Sequence, residues 1–157
     1  AWTHHIPRLM VLANIATLLD VSPRELTDWF WIAYLDAFDW VVEPNVLAMG
    51  TFAVGELMTT KPYVSGAAYI DRMSDFCADC AFDAKRDCPI TNLYWAFLDR
   101  HRDTLSGNPR MRLILSSLSR RADQRVHQDR AIFEWAREVL DRGERLEPEQ
   151  IPEANDV

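Results

Sequence analysis

Cys77-Ala78-Asp79-Cys80 and, shortly after, Cys88-Pro89 hold all three cysteines of the chain. Two thiolates three positions apart can bind one metal centre through a tight turn. A third close behind supplies most of a coordination sphere. Cysteine directly before proline is familiar from iron–sulfur proteins, where the proline stiffens the chain beside the cluster. Three thiolates do not make four, so either a non-cysteine group takes the last position or the fourth cysteine lies outside the chain. The sequence opens Ala1-Trp2-Thr3-His4-His5, with no initiator methionine and no secretory leader before the first helix, and it reads as a piece of a longer protein. Clustered cysteines without a leader favour a metal site over a disulfide framework. A Cys80–Cys88 disulfide and three unconnected thiols stand as alternatives, and zinc stands beside iron as the metal.

His4-His5 is a second group with chemistry in it. Imidazole gives and recovers a proton near neutral pH, although a histidine pair at a helix start also serves structure or weak metal binding. A third candidate is the run from Arg100 to Arg130, which carries Arg100, Arg102, Arg110, Arg112, Arg120, Arg121, Arg125 and Arg130 against Asp103, Asp123 and Asp129. Arginine grips phosphate in a bidentate fork, but it also builds salt-bridged helix surfaces. With a net charge of −7 the chain is not a general nucleic-acid coat, and the run reads as a solvated face.

These groups must be positioned by helices. The chain is 157 residues long and 48% hydrophobic, enough for a real core, and it has only five glycines. Long stretches of helical period point to an all-α fold, and no apolar run reaches the roughly 18 residues that span a bilayer. Residues 4–19 read as one helix, with Pro7 in its first turn. Ser22, Pro23 and Glu25 form a start signal. The helix that follows is expected to run to about Trp40, buried or lining a pocket through Trp29, Phe30, Trp31, Tyr34, Phe38 and Trp40. Residues 41–66, broken by proline and glycine, read as a loop with one or two short helices. Helices are expected at 67–77, 91–102, 110–120 and 121–142, with Gly143 as the closing cap. The helical body is placed at 1–143, and 144–157 as an acidic, frayed tail.

Several strings then fall in register. They are His4-His5-Ile6-Pro7-Arg8-Leu9-Met10-Val11, Asp36-Ala37-Phe38-Asp39-Trp40-Val41, Pro44-Asn45-Val46, Lys61-Pro62-Tyr63, Ala68 through Cys77, Cys88-Pro89 and Asn92-Leu93-Tyr94-Trp95. In this order, from residue 3 to about 110, the chain resembles the C-terminal catalytic region of the iron–sulfur bacterial cryptochromes and photolyases. The resemblance implies a helical FAD-binding domain with a [4Fe-4S] cluster and light-driven repair of ultraviolet lesions in DNA, above all the (6-4) photoproduct. A blue-light photoreceptor without repair is the second reading, and a zinc-binding module that touches nucleic acid is the third. It also implies an N-terminal domain with an antenna chromophore, and a fourth cluster cysteine upstream of His4. A monomeric, cytoplasmic full-length protein with no membrane partner goes with that reading.

The roles come with the resemblance. His4 and His5 stand at the family's active-site histidines and would carry the proton relay of (6-4) repair. Arg8 and Asp36 match an ion pair beside the flavin, Trp29 the tryptophan that relays an electron to it, and Asn45 a hydrogen-bond partner in the flavin-facing loop. The usual asparagine at the reactive flavin nitrogen is replaced by Val42, with Glu43 adjacent, and Phe38 stands where some relatives have tyrosine. Cys77, Cys80 and Cys88 would hold the cluster. Lys61, Tyr63 and Arg72 would face the damaged DNA, with Asp71 a departure that weakens phosphate contact there.

Overall fold

Ser22 and Pro23 start a helix where the sequence places it. The Ser22 hydroxyl accepts the backbone N–H of Glu25 at 3.5 Å, and Pro23 fills the first position. In a computed structural model, which describes residues 3–152, this is α3 (Pro23–Ala33). Every regular element among the described residues is helical, with no strand. The chain folds as two compact units, Ala1–Ser65 and Gly66–Val157.

In the first unit, the expected helix at 4–19 is continuous but uneven. It is α1 (His5–Pro7), a π-helical stretch (Arg8–Ala13) and α2 (Asn14–Leu18). The Asn14 N–H reaches five residues back to the Leu9 carbonyl, the mark of the wider turn. It ends on Asp20 in the left-handed region at φ 56°, with Asp20 N–H to Thr17 O and Val21 N–H to Ala16 O closing the last turn. A second π-helical stretch (Glu43–Gly50) follows α4 (Asp39–Val42). The two wide stretches meet at Gly50, where a Cβ would lie 3.2 Å from Leu9 Cδ1 and 3.3 Å from the Ala13 methyl group. A side chain there would force these neighbours to shift, so glycine keeps the contact close. Asn14, fully buried, clamps the end of the unit: its amide donates to the Ser65 carbonyl at 3.1 Å and accepts the Ser65 N–H at 2.9 Å.

α3 stops at Ala33 rather than near Trp40. Tyr34 turns extended, stacks on Phe30 with ring centroids 5.5 Å apart, and receives the Arg8 guanidinium 4.0 Å above its face. The Arg8 contact lies outside the helix, and together with the stacking on Phe30 it outweighs local propensity, which would continue it. The core gathers Ala13, Leu26, Phe30, Tyr34, Ala37, Val42 and Val46. The rest of the aromatic run is not buried as expected. Trp31, Phe38 and Trp40 are exposed, and Phe38 and Trp40 stack on each other 4.8 Å apart.

The second unit is α5 (Ala67–Met73), the cysteine loop, α6 (Pro89–Arg100), α7 (Arg102–Ser106), α8 (Arg112–Ser119) and α9 (Asp123–Asp141). α6 packs on α9, burying Leu93, Ala96, Phe97 and Leu98 on one side and Ile132, Phe133, Ala136 and Val139 on the other. Arg100 lies 3.6 Å above the Phe133 ring, and Arg130 donates to Asp99. Gly143 closes α9 at φ 70°, with its N–H on Leu140 O and the Glu144 N–H on Val139 O. Beyond it, Pro148–Gln150 forms a single 3₁₀ turn, and residues 153–157 of the expected tail lie outside the described residues. No helix of the described residues is long and apolar enough to cross a membrane.

Candidate functional site

The first unit encloses a cavity of about 280 Å³. Its buried lining is apolar: Ala13, Phe30, Ala37, Val42 and Val46. Its polar groups are His5, Arg8 and Asn45. Such a lining, mostly apolar with a few convergent polar groups, is the ordinary form of a small-molecule site.

Arg8 is the most constrained of the polar groups. Its Nη1 lies 2.7 Å from Asp36 Oδ1, its Nε donates to the Thr3 carbonyl at 2.9 Å, and its plane rests on Tyr34. The two partners differ in exposure, the Arg8 side chain at 14% and the Asp36 side chain at 66%. The pair is therefore a half-wet brace that aims a cation at the cavity, worth less than its short distance implies. The Arg8 hydrogen bond holds the Asp36 carboxyl below the usual carboxylate range, against a smaller opposing effect of burial. A depressed carboxyl stabilises the fold above its unfolded value of about 3.9 and loses that contribution as pH falls through its folded value. The melting difference between the natural protein and Asp36→Asn is therefore expected to be steady near neutral pH and to vanish in acid. Thermal melts from about pH 7 to about pH 2 check this. A difference that persists unchanged in acid would mean that Asp36 acts through packing and not through charge.

The two histidines are not equivalent. His4 caps α1, its Nδ1 accepting the Ile6 N–H at 3.3 Å, which leaves the proton of the neutral ring on Nε2. His5 lines the cavity, and the two rings lie 4.3 Å apart, tilted by 34°. Asn45 lines it too, with its amide donating to the Val41 carbonyl at 2.8 Å, so its side-chain oxygen is the group left for a ligand.

Trp29 does not border the cavity. It is half exposed and packs edge-on against Tyr34 at 6.1 Å and against Phe30 at 5.1 Å, and Phe30 is the ring of the pair that lines the cavity. The end of α3 at Ala33 brings Phe30 and Tyr34 together and leaves Trp29 on the outer side. Lys61 and Tyr63 are exposed in the first unit. Arg72 is exposed on α5 of the second, over the Tyr69 ring at 5.5 Å.

The cysteine loop is organised around Asp83 and not around its thiols. The Asp83 carbonyl accepts the N–H groups of Arg86, Asp87 and Cys88. Its carboxylate accepts the Lys85 N–H at 2.8 Å and the Arg86 Nε at 3.0 Å, and its own N–H donates to Asp87 at 2.6 Å. Cys77 and Cys80 line a shallow depression with Asp71, Phe82 and Arg86, while Cys88 caps α6 ahead of Pro89. All three are free thiols. Burial pushes the Cys88 thiol up to about 11, with the charges of Cys80, Cys77 and Asp87 adding to it. Burial also raises Cys77, with Asp71 and Cys80 adding. The thiols are thus near enough to feel one another, and in kind and number they suit three ligands of an iron–sulfur centre. No three His, Cys, Asp or Glu side chains among the described residues are arranged to hold a metal ion.

Sequence reasoning passes over one polar cluster altogether. Asp129, 2% exposed, accepts Arg121 through two bonds of 2.6 and 2.9 Å and Asn92 at 2.9 Å, and Arg121 lies 4.8 Å over the Trp95 ring. Asn92 and Asp129 lie 37 residues apart, and no local signal links them.

No family model matches this sequence. A (6-4) photolyase of Agrobacterium fabrum is 40% identical over 136 residues, 83% of this chain and 27% of that protein. An uncharacterized protein, R855, of Acanthamoeba polyphaga mimivirus is 32% identical over 133 residues, 85% of this chain and 99% of that protein. The chain therefore belongs to one family with the mimivirus protein, and over most of its length it is similar to a segment that makes up 27% of the Agrobacterium enzyme.

Proposed function

We propose that this chain is the catalytic segment of a light-dependent DNA-repair lyase acting on ultraviolet photoproducts, with (6-4) lesions as its substrate. The observation that carries the reading is the braced Arg8 at an apolar cavity that His5 and Asn45 also line. The 40% identity to a (6-4) photolyase supports the reaction class and the lesion. At about 280 Å³ the cavity is near the low end of ligand pockets, roughly 300–1,000 Å³, so it fits one ring system of FAD and not the whole cofactor.

When bound, FAD supplies the electron transfer of repair. The residues of this chain do the rest. Arg8, fixed by Asp36, Thr3 and Tyr34, presents a cation that cannot swing away. Phe30, Val42 and Val46 exclude water from the apolar face. His5 stands where it can give a proton to a lesion and take one back, with His4 beside it holding the helix start. Trp29 packs on Phe30 outside the cavity lining, which makes it an outer and not an adjacent electron donor. Lys61, Tyr63 and Arg72 are the contacts offered to DNA. Cys77, Cys80 and Cys88 would hold a [4Fe-4S] cluster with a fourth thiolate from elsewhere in the protein, gathering the loop now organised by Asp83.

The test uses the full-length protein that carries this chain, purified with its cofactors. Blue light is expected to restore an oligonucleotide with a single (6-4) lesion, and Cys80→Ser to lower the iron bound per chain. Light-driven flavin reduction without lesion loss would make the protein a photoreceptor. Zinc in place of iron would remove the cluster.

A further inference from the structure

The second unit carries a cleft of about 640 Å³ that the repair reading does not use. One wall is the loop Ala84–Cys88. The other is the start of α9, with the α6 residues Thr91, Asn92 and Trp95 between them. The lining holds four cations, Lys85, Arg86, Arg121 and Arg125, against the single carboxylate of Asp87, in a chain whose net charge is −7. Local charge is therefore inverted where the surface turns concave, which concentrates anions there.

The cations differ in what already occupies them. Arg121 is committed to Asp129, and Arg86 pairs with Asp83. Lys85 and Arg125 have no carboxylate within ion-pair distance among the described residues, and they face the cleft from opposite walls. Gln124 and Gln128, four apart on α9, add neutral donors on the Arg125 side, and Ile132 and Ile151 add an apolar patch. Cys77 and Cys80 line the neighbouring depression, which shares Ala84, Lys85 and Arg86 with the cleft, and Cys88 stands at the edge of the cleft itself.

We infer that this cleft binds a small phosphorylated compound of about nucleotide size, its phosphates bridged between Lys85 and Arg125 and its organic part against Ile132 and Ile151. Two open cations on facing walls suit linked phosphates, because each wall supplies one charge-assisted contact. The volume lies within the range of small-molecule sites and well above that of a bare anion.

Inorganic pyrophosphate is the probe, measured by titration calorimetry on the full chain at fixed ionic strength. The expected result is saturable binding that weakens on the order of tenfold or more in Lys85→Gln/Arg125→Gln. It should survive in Lys85→Arg/Arg125→Lys, which keeps both charges. Arg112→Gln, on α8 and outside the cleft lining, is expected to leave binding unchanged. Lys85 and Arg125 are exposed, so unchanged melting of the variants separates a lost contact from a lost fold. No saturable binding, or equal weakening by Arg112→Gln, would overturn the assignment. So would displacement of pyrophosphate by a short single-stranded oligonucleotide at lower concentration than by a nucleoside diphosphate, since the surface would then be a nucleic-acid contact. None of these measurements needs light or FAD, so binding and repair are read out separately, even though the wall Ala84–Cys88 ends on one of the thiols proposed to hold the cluster.

Discussion

Asp129→Ala is expected to destabilise the second unit by about 3–5 kcal/mol, a large share of the roughly 5–15 kcal/mol that holds a domain folded. The mutation removes little volume, and the cost lies in what it leaves behind. Arg121 has a side chain only 15% exposed, and it would keep its charge with no counterion. The Asn92 amide would lose its acceptor as well. Burial raises the Asp129 carboxyl in spite of Arg121 and Asn92, which pull it down, so keeping this charge dry is costly in itself. The network fastens α6 to α9 by geometry more than it gains from charge. Asp129→Leu with Arg121→Met is therefore expected to recover most of the loss, since apolar replacement of a buried pair is often neutral or favourable. Urea unfolding of the natural protein, Asp129→Leu, Arg121→Met and the double variant gives the coupling. A cost for Asp129→Ala below about 1 kcal/mol would mean that water reaches Arg121 and the pair is a surface one.

What was legible in the sequence was local. Ser22-Pro23 and Gly143 announce helix ends because a hydroxyl, a fixed φ and a missing Cβ act within one turn. The thiols share one loop because they are neighbours in sequence. What was not legible depends on partners far along the chain. The break at Tyr34 follows from Arg8, which sits over its ring from 26 residues away. The burial expected of the aromatic run fails because one helix face is already filled by Leu26 and Phe30, which leaves Trp31 and its neighbours outside. The Asp83 turn did carry a signal, an aspartate whose side chain accepts the N–H two residues on. It lies among the cysteines, whose spacing dominates any reading of this stretch. The Arg8–Asp36 pairing was proposed from resemblance alone. The short contact between them supplies a physical reason that helical periodicity could not, since Asp36 lies beyond the end of α3.

In the full-length protein that carries this chain, His5→Ala is expected to lower (6-4) repair by about 10²–10⁴-fold while flavin photoreduction keeps its rate. Electrons can travel through aromatic rings, but moving an oxygen between two bases also needs a proton at the lesion, and His5 is the imidazole that lines the cavity. His4 calls for two variants because it also caps α1. His4→Ala removes cap and imidazole together. His4→Asn restores a side chain that caps well and cannot shuttle a proton near neutral pH. Loss of repair in both variants marks His4 as part of the proton relay; rescue by asparagine reduces it to a residue that positions His5. Trp29→Phe is expected to act in the opposite sense, slowing photoreduction while repair survives once the flavin is reduced chemically. Because Trp29 does not line the cavity, that slowing should be partial, as a second donor closer to the flavin could take over. Repair at the natural rate in His5→Ala would leave the histidine pair a helix start and nothing more.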